Sequence, residues 1–195
     1  MFNSKILVTL QAAIFITFAG LAHSAQFESV LDSISIKKSQ TYNINSWDSA
    51  NNIKGVKWKW PSNESGAHDA TMVGKAKFGK NKNKNIGATS VALAGSRAGI
   101  STARVSIEND PELSNDDSSI KQLFGDGNVK SLKTSCDDDG ASNSTLYYKF
   151  ERVAYKPVYI NINRSFGASG DSGSIDFLIG NAIDDVLEQN CVVTK

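Results

Sequence analysis

Alternation of apolar and polar residues at strand period dominates the chain. Tyr42 and Ile44 alternate with Asn43 and Asn45, and Val56, Trp58 and Trp60 alternate with Lys57 and Lys59 before Pro61 ends the run. Met72, Ala76 and Phe78 share one phase, with Lys75 and Lys77 on the other. Val91 and Leu93 mark a further run, and Ala103, Val105 and Ile107 another. Leu146, Tyr148 and Phe150 alternate with Lys149 and Glu151; Val158, Ile160 and Ile162 alternate with Tyr159, Asn161 and Asn163; Ile175, Phe177 and Ile179 follow. Successive side chains of a strand point to opposite faces, so each run predicts one buried side and one wet side. Clusters of Gly, Asn, Asp and Ser separate the runs, as turns require. Helical spacing is confined to Phe27, Val30, Leu31 and Ile34 and to Ile183, Val186 and Leu187. The pattern predicts an all-β or β-rich α+β fold, an antiparallel sandwich or small barrel of about eight strands with one or two short helices.

The first residues obey a different rule. Lys5 is the only charged side chain before Glu28, and the segment from Ile6 to Leu21 is apolar apart from Thr9, Gln11 and Thr17. A short positive region, an apolar run and then small residues make the layout of a secretory signal peptide. Cleavage after Ala25 is expected, with Ser24 as the neighbouring choice. The apolar run is about 16 residues, short of the roughly 20 that a spanning helix needs. The expected organisation is therefore a signal peptide over residues 1–25 and a single exported β-rich domain over 26–195, periplasmic or secreted, with no membrane insertion once the signal is removed.

Removing that segment changes the charge and cysteine arguments. The whole chain of 195 residues carries 21 Lys and Arg against 20 Asp and Glu. Without Lys5 the balance is zero, which argues against a nucleic-acid partner. Only two cysteines exist, Cys136 and Cys191, and in an oxidising compartment two lone cysteines pair. The bridge closes a loop of about 56 residues, worth roughly 4 kcal/mol of unfolded-state entropy. Charge is segregated along the chain: Lys54 to Arg104 holds ten basic and two acidic residues, and Glu108 to Asp139 holds nine acidic and three basic. Two oppositely charged patches would steer a charged partner.

Residues that could carry chemistry are few. Asp137, Asp138 and Asp139 precede Gly140, Ser142, Asn143 and Ser144 in an oxygen-rich loop, so Asp137 and Asp139 are candidate ligands of an irregular Ca²⁺ site. Aligning them with an EF-hand loop puts Leu146 where a bidentate Glu is required, which excludes that motif. No other cofactor is expected. Trp58 and Trp60 share a phase with Val56 and read as core, while Trp47, beside Asp48, reads as partly exposed and able to stack on a sugar. Gly170-Asp171-Ser172-Gly173-Ser174 resembles the nucleophile loop of trypsin-like serine proteases, with His68 upstream and acidic residues such as Asp110 between. Ser174 stands where that family has its second Gly, and only 21 residues follow it. Ser172 and His68 are therefore outside candidates, and no catalytic residue is assigned.

A small exported, neutral, one-disulfide β-domain resembles the broad class of bacterial periplasmic inhibitors and immunity proteins. That resemblance implies a non-enzymatic protein that engages a partner, such as a basic cell-wall hydrolase or a toxin, through a polar loop. The loop from Glu108 to Asp117, with Asp110, Glu112 and Asp116, or the turn from Ser165 to Ser174, is the expected contact, since recognition is commonly placed on loops held by a rigid sheet. The alternatives are a carbohydrate-binding or adhesive module using Trp47 or exposed tyrosines, and a hydrolase using Ser172.

Overall fold

A computed structural model describes residues 27–43, 46–52, 72–77, 89–96, 99–108, 116–125, 127–136, 145–166 and 173–194. The fold is a β-rich α+β arrangement. Helix α1 covers residues 27–34 and α2 is Ser46–Asn51; strands β1 (Met72–Lys77), β2 (Thr89–Ser96) and β3 (Gly99–Glu108) follow. Helix α3 (Asp117–Phe124) leads to β4 (Asn128–Leu132) and β5 (Thr134–Cys136). Strands β6 (Leu146–Glu151), β7 (Val158–Phe166) and β8 (Gly173–Gly180), a 3-10 turn at Ile183–Asp185 and β9 (Cys191–Val193) complete the order.

Seven strands form one antiparallel sheet in the order β1-β2-β3-β8-β7-β6-β4, and β5 and β9 form a separate two-stranded ribbon. Among the described residues the sheet stays open, with β1 and β4 at its edges. The expected antiparallel strands are present, but helices rather than a second full sheet cover the core face. The reason lies in the apolar stripes. Phe27, Val30, Leu31 and Ile34 of α1 and Ile120, Leu123 and Phe124 of α3 are buried against Val91, Leu93, Val105, Phe150, Ile160, Ile162, Phe177 and Ile179 of the sheet. Phe124 stands edge-on to both Phe27 and Phe177, at 6.4 and 5.9 Å between ring centroids. Fully burying side chains of this size contributes about 1.5–3 kcal/mol each.

Helix α3 forms inside the acidic stretch that reads as loop from sequence. Asp116 has extended backbone and its carboxylate accepts from the Ser118 amide, the geometry of an N-cap. Ile120, Leu123 and Phe124 then recur at helical spacing. Gly125 ends the helix at φ 79°, in the left-handed region that glycine enters without strain, and its amide donates to the Lys121 carbonyl. Tyr42, expected in a strand, lies in a bend. Asn43 explains it, because its side-chain amide donates to the carbonyls of Ser33 and Ser35, both at 3.1 Å, and so ties the chain to the end of α1.

The second sheet face is not uniformly wet, contrary to the alternation. Tyr147 of β6 and Asn161 of β7 are buried there with Val186 and Cys191. The ribbon and the 3-10 turn fold onto this half of the face. Asn161 Nδ2 donates to the Val186 carbonyl at 3.0 Å, and the Glu188 amide donates to the Tyr147 hydroxyl at 3.3 Å. Gly180 allows the approach, since a Cβ there would collide with Asp185.

Cys136 and Cys191 form the expected disulfide. They are direct register partners in the ribbon, with Cα atoms 4.0 Å apart. The Thr194 amide donates to the Lys133 carbonyl, which makes the cysteine pair a non-hydrogen-bonded one, where Cα atoms come closest. Two strands of three residues cannot hold together alone, so the bridge and the Tyr147–Asn161 contacts carry the ribbon. Replacing both cysteines by serine is expected to lower unfolding stability by about 2–4 kcal/mol in urea titration. Amide exchange should accelerate first at residues 134–136 and 191–193, ahead of β7 and β8.

Candidate functional site

Register brings together two segments that are far apart in sequence. Glu108, the last residue of β3, pairs with Ser174 of β8, and Ser174 pairs with Ser165 of β7. These three residues form one row at one end of the three middle strands, on the face opposite the helices, because their neighbours Ile107 and Ile175 point into the core. Ser165 and Ser174 share a hydroxyl–hydroxyl hydrogen bond of 2.8 Å. The polar loop expected from Glu108 to Asp117 and the turn expected from Ser165 to Ser174 thus leave the same end of the sheet, from adjacent strands. The β1–β2 connection leaves this end too, since Lys77 pairs with Ser90 and Thr89 with Ile107. So does the connection into β6, which starts at Leu146 opposite Ile162.

The next row inward is Ser106, Asp176 and Asn163. Asp176 accepts from Arg104 Nη2 at 2.7 Å. That bond, more than the burial opposing it, raises the Arg104 guanidinium above its ordinary range. Arg104, the last member of the basic sequence stretch, is therefore bound within the fold. Glu108 is exposed, and among the described residues no ion pair engages it.

The other expected residues have mixed placements. Asp116 caps α3, and Asp117 pairs with Lys121 one turn on at 3.3 Å. Both stand close enough to Tyr148 of β6 for their charges, after burial itself, to raise its phenol. The segment between Glu108 and Asp116 is therefore held at both ends, on β3 and on a helix packed over the far strands. Trp47 of α2 is half-buried and packs against the main core. Asp110, Glu112, His68, Ser172, Asp137, Asp139, Trp58 and Trp60 lie outside the described residues. Among the described residues no group of His, Cys, Asp and Glu is arranged to hold a metal ion, and no helix is long and apolar enough to cross a membrane.

The alternation puts Glu151 on the polar phase of its strand, and Glu151 and Asp176 both lie on the open face. It missed their partners, which only cross-strand register supplies. Lys130 and Lys149 are directly opposed on β4 and β6. Like charges so placed repel, and Glu151 sits between them, at 2.7 Å from Lys149 and 3.6 Å from Lys130. Its hydrogen bond to Lys149 first, and the charges of both lysines after that, hold the Glu151 carboxyl below its ordinary range.

A carboxyl with a lowered folded-state pKa stabilises the fold above its unfolded pKa, and that stabilisation is lost as pH falls through the folded value. The Glu151 side-chain carboxyl resonance should therefore titrate below that of Glu in an unfolded peptide, as read by NMR. Lys149→Met should move its midpoint back up. No protein-family model, curated protein or solved structure matches this chain.

Proposed function

We propose that the chain is an exported binding protein of the inhibitor or immunity type, which engages a partner enzyme or toxin through the polar segments at the Glu108–Ser174–Ser165 end of its sheet. The observation that carries the reading is the register itself, which puts Glu108, Ser174 and Ser165, the strand ends from which the two polar segments leave, in one row. Strands β3, β8 and β7 anchor that end, and each pairs on both sides. Loops on such a scaffold can hold a recognition surface without much ordering cost on binding. Export is supported by the N-terminal pattern of charge and hydropathy and by the Cys136–Cys191 bridge, of a kind that persists in oxidising compartments.

The Glu108 side of this end favours a basic partner, while the neighbouring β1–β2 connection carries Lys80, Lys82 and Lys84. Glu108 projects from the row, and Asp110, Glu112 and Asp171 follow in the adjoining segments of sequence. Complementary charge raises the rate of encounter and fixes orientation more than it adds affinity. A basic hydrolase or toxin in the same compartment meets that requirement.

The test is capture of partners from a lysate of the source organism by the processed protein. It should be compared with a Glu108→Lys, Asp110→Lys, Glu112→Lys variant. One enzyme or toxin should be retained by the native protein and bound at least about tenfold more weakly by the variant, the cost of losing one or two well-placed charge contacts. Retention unaffected by the charge reversal would reject this surface. Binding to a glycan array with no retained protein would reject the reading as a whole.

A further inference from the structure

The opposite end of the sheet has a surface of a different kind. The β6–β7 turn carries Val153, which is 94% exposed, and Ala154, also exposed. The chain after α1 pairs with this turn. Lys37 and Tyr155 form an antiparallel bridge, the Lys38 amide donates to the Ala154 carbonyl at 3.1 Å, and the Lys156 amide donates to the Ile36 carbonyl at 2.7 Å. Lys37, Lys38 and Lys156 thereby flank the turn that carries Val153, Lys37 on the face of Tyr155 and Lys38 and Lys156 on the other. The turn does not need these side chains for its own support. Arg152 supplies that, bonding Asp32 at 2.5 Å and Ser35 Oγ at 2.7 Å, and stacking over the Tyr155 ring at 4.1 Å.

The carboxylates nearest the turn in sequence and by contact are engaged by other cations. Asp32 is taken by Arg152, and Glu151, two residues before Val153, is taken by Lys149 and Lys130. Among the described residues Lys37, Lys38 and Lys156 enter no ion pair. Tyr42, in the loop that leaves Lys38 and returns to α1 through Asn43, adds a second exposed apolar body. A valine exposed almost completely at the tip of an ordered turn gains nothing from water, and a scattered exposed valine alone would need no explanation. A valine at a tip flanked by free lysines is different, because the two features suit one surface: an interface whose outer layer is anionic and whose next layer is apolar.

We propose that the Lys37–Lys38–Lys156 cluster with Val153 is a peripheral docking surface for an anionic lipid bilayer. The lysines meet the phosphate layer and Val153 enters the headgroup–acyl boundary. A nucleic acid offers the same charge but no apolar layer for the tip, so the valine decides between the two. This surface lies at the end of the sheet away from Glu108, so a membrane-docked molecule would present its Glu108 end to the surrounding fluid. The inference stands or falls independently of the partner proposed for that end.

The test is co-sedimentation of the processed protein with vesicles of phosphatidylcholine alone and of phosphatidylcholine mixed with an equal part of phosphatidylglycerol. The mixed vesicles should be preferred at low salt, and the preference should vanish at about 1 M salt, where screening acts within about 3 Å. Each lysine at an anionic surface is worth about a fivefold change in affinity, so the Lys37→Gln, Lys38→Gln, Lys156→Gln variant should bind mixed vesicles roughly a hundredfold more weakly. Val153→Ser should lose severalfold with an unchanged melting temperature. If the triple variant melts lower than the native protein, the Val153→Ser and salt results decide the matter. Equal binding to both vesicle types, or a preference that survives the triple variant, would overturn the proposal. So would tighter binding to double-stranded DNA than to mixed vesicles with Val153→Ser neutral, which would indicate a nucleic-acid surface.

Discussion

The pairing of β3 with β8 is the contact on which the rest of the architecture depends. Strands β1, β2 and β3 form one run of neighbours, and β8, β7 and β6 form another. Only the seven register pairs from Thr102–Gly180 to Glu108–Ser174 join them into one sheet. About 70 residues of chain separate these partners, so closing the loop costs entropy before any contact is gained. What offsets it is burial: Val105 and Phe177 face the helices from directly opposed positions, and Phe177 meets Phe124 of α3. A one-residue slip in this pairing would turn Phe177 and Ile179 to solvent and bring Asp176 into the core. The register is therefore held by the apolar pattern, and every cross-strand feature of the open face inherits it.

The two faces of the sheet are stabilised by different means. One is covered by α1, α2 and α3 through a single extended apolar cluster. The other is covered over only part of its area, by the ribbon and the 3-10 turn. Most aliphatic side chains of that smaller cluster are only partly buried, so polar anchors and a covalent bond supplement it. Tyr147 illustrates the design: its ring is buried and its hydroxyl lies 3.7 Å from Cys191 Sγ while accepting from the Glu188 amide. The remainder of the face is open, and there the charged residues occur in cross-strand pairs.

Charge placement gives the molecule two distinct ends. The strand terminus at Glu108 leads into an acidic stretch of sequence, while the chain after α1 brings lysines to either side of the β6–β7 turn and its exposed valine. Both are built on connections between well-paired strands, where a surface can vary without disturbing the core. Pairs on the open face, such as Arg104–Asp176 and Lys149–Glu151, are partly exposed and contribute little to stability. Their effect is to match opposite charges across neighbouring strands of the open face.

Much of this was legible before any tertiary contact. Alternation located β2, β3, β6, β7 and β8, helical spacing located α1, and the presence of only two cysteines dictated their bridge. Each rests on a local period or on counting, which a linear chain carries by itself. Helix α3 was hidden because its acidic first turn reads as a solvated loop, although Asp116 and the Ile120–Leu123–Phe124 spacing carry its signature. The burial of Tyr147 and Asn161 could not be read locally, because it depends on a C-terminal segment that folds back onto the sheet. The candidate surfaces sit at the same boundary. The sequence nominated Glu108 to Asp117 and Ser165 to Ser174 as separate polar segments. The strand order made their flanking residues Glu108, Ser174 and Ser165 neighbours, because adjacency in a sheet is set by which apolar faces must be buried together, not by position along the chain.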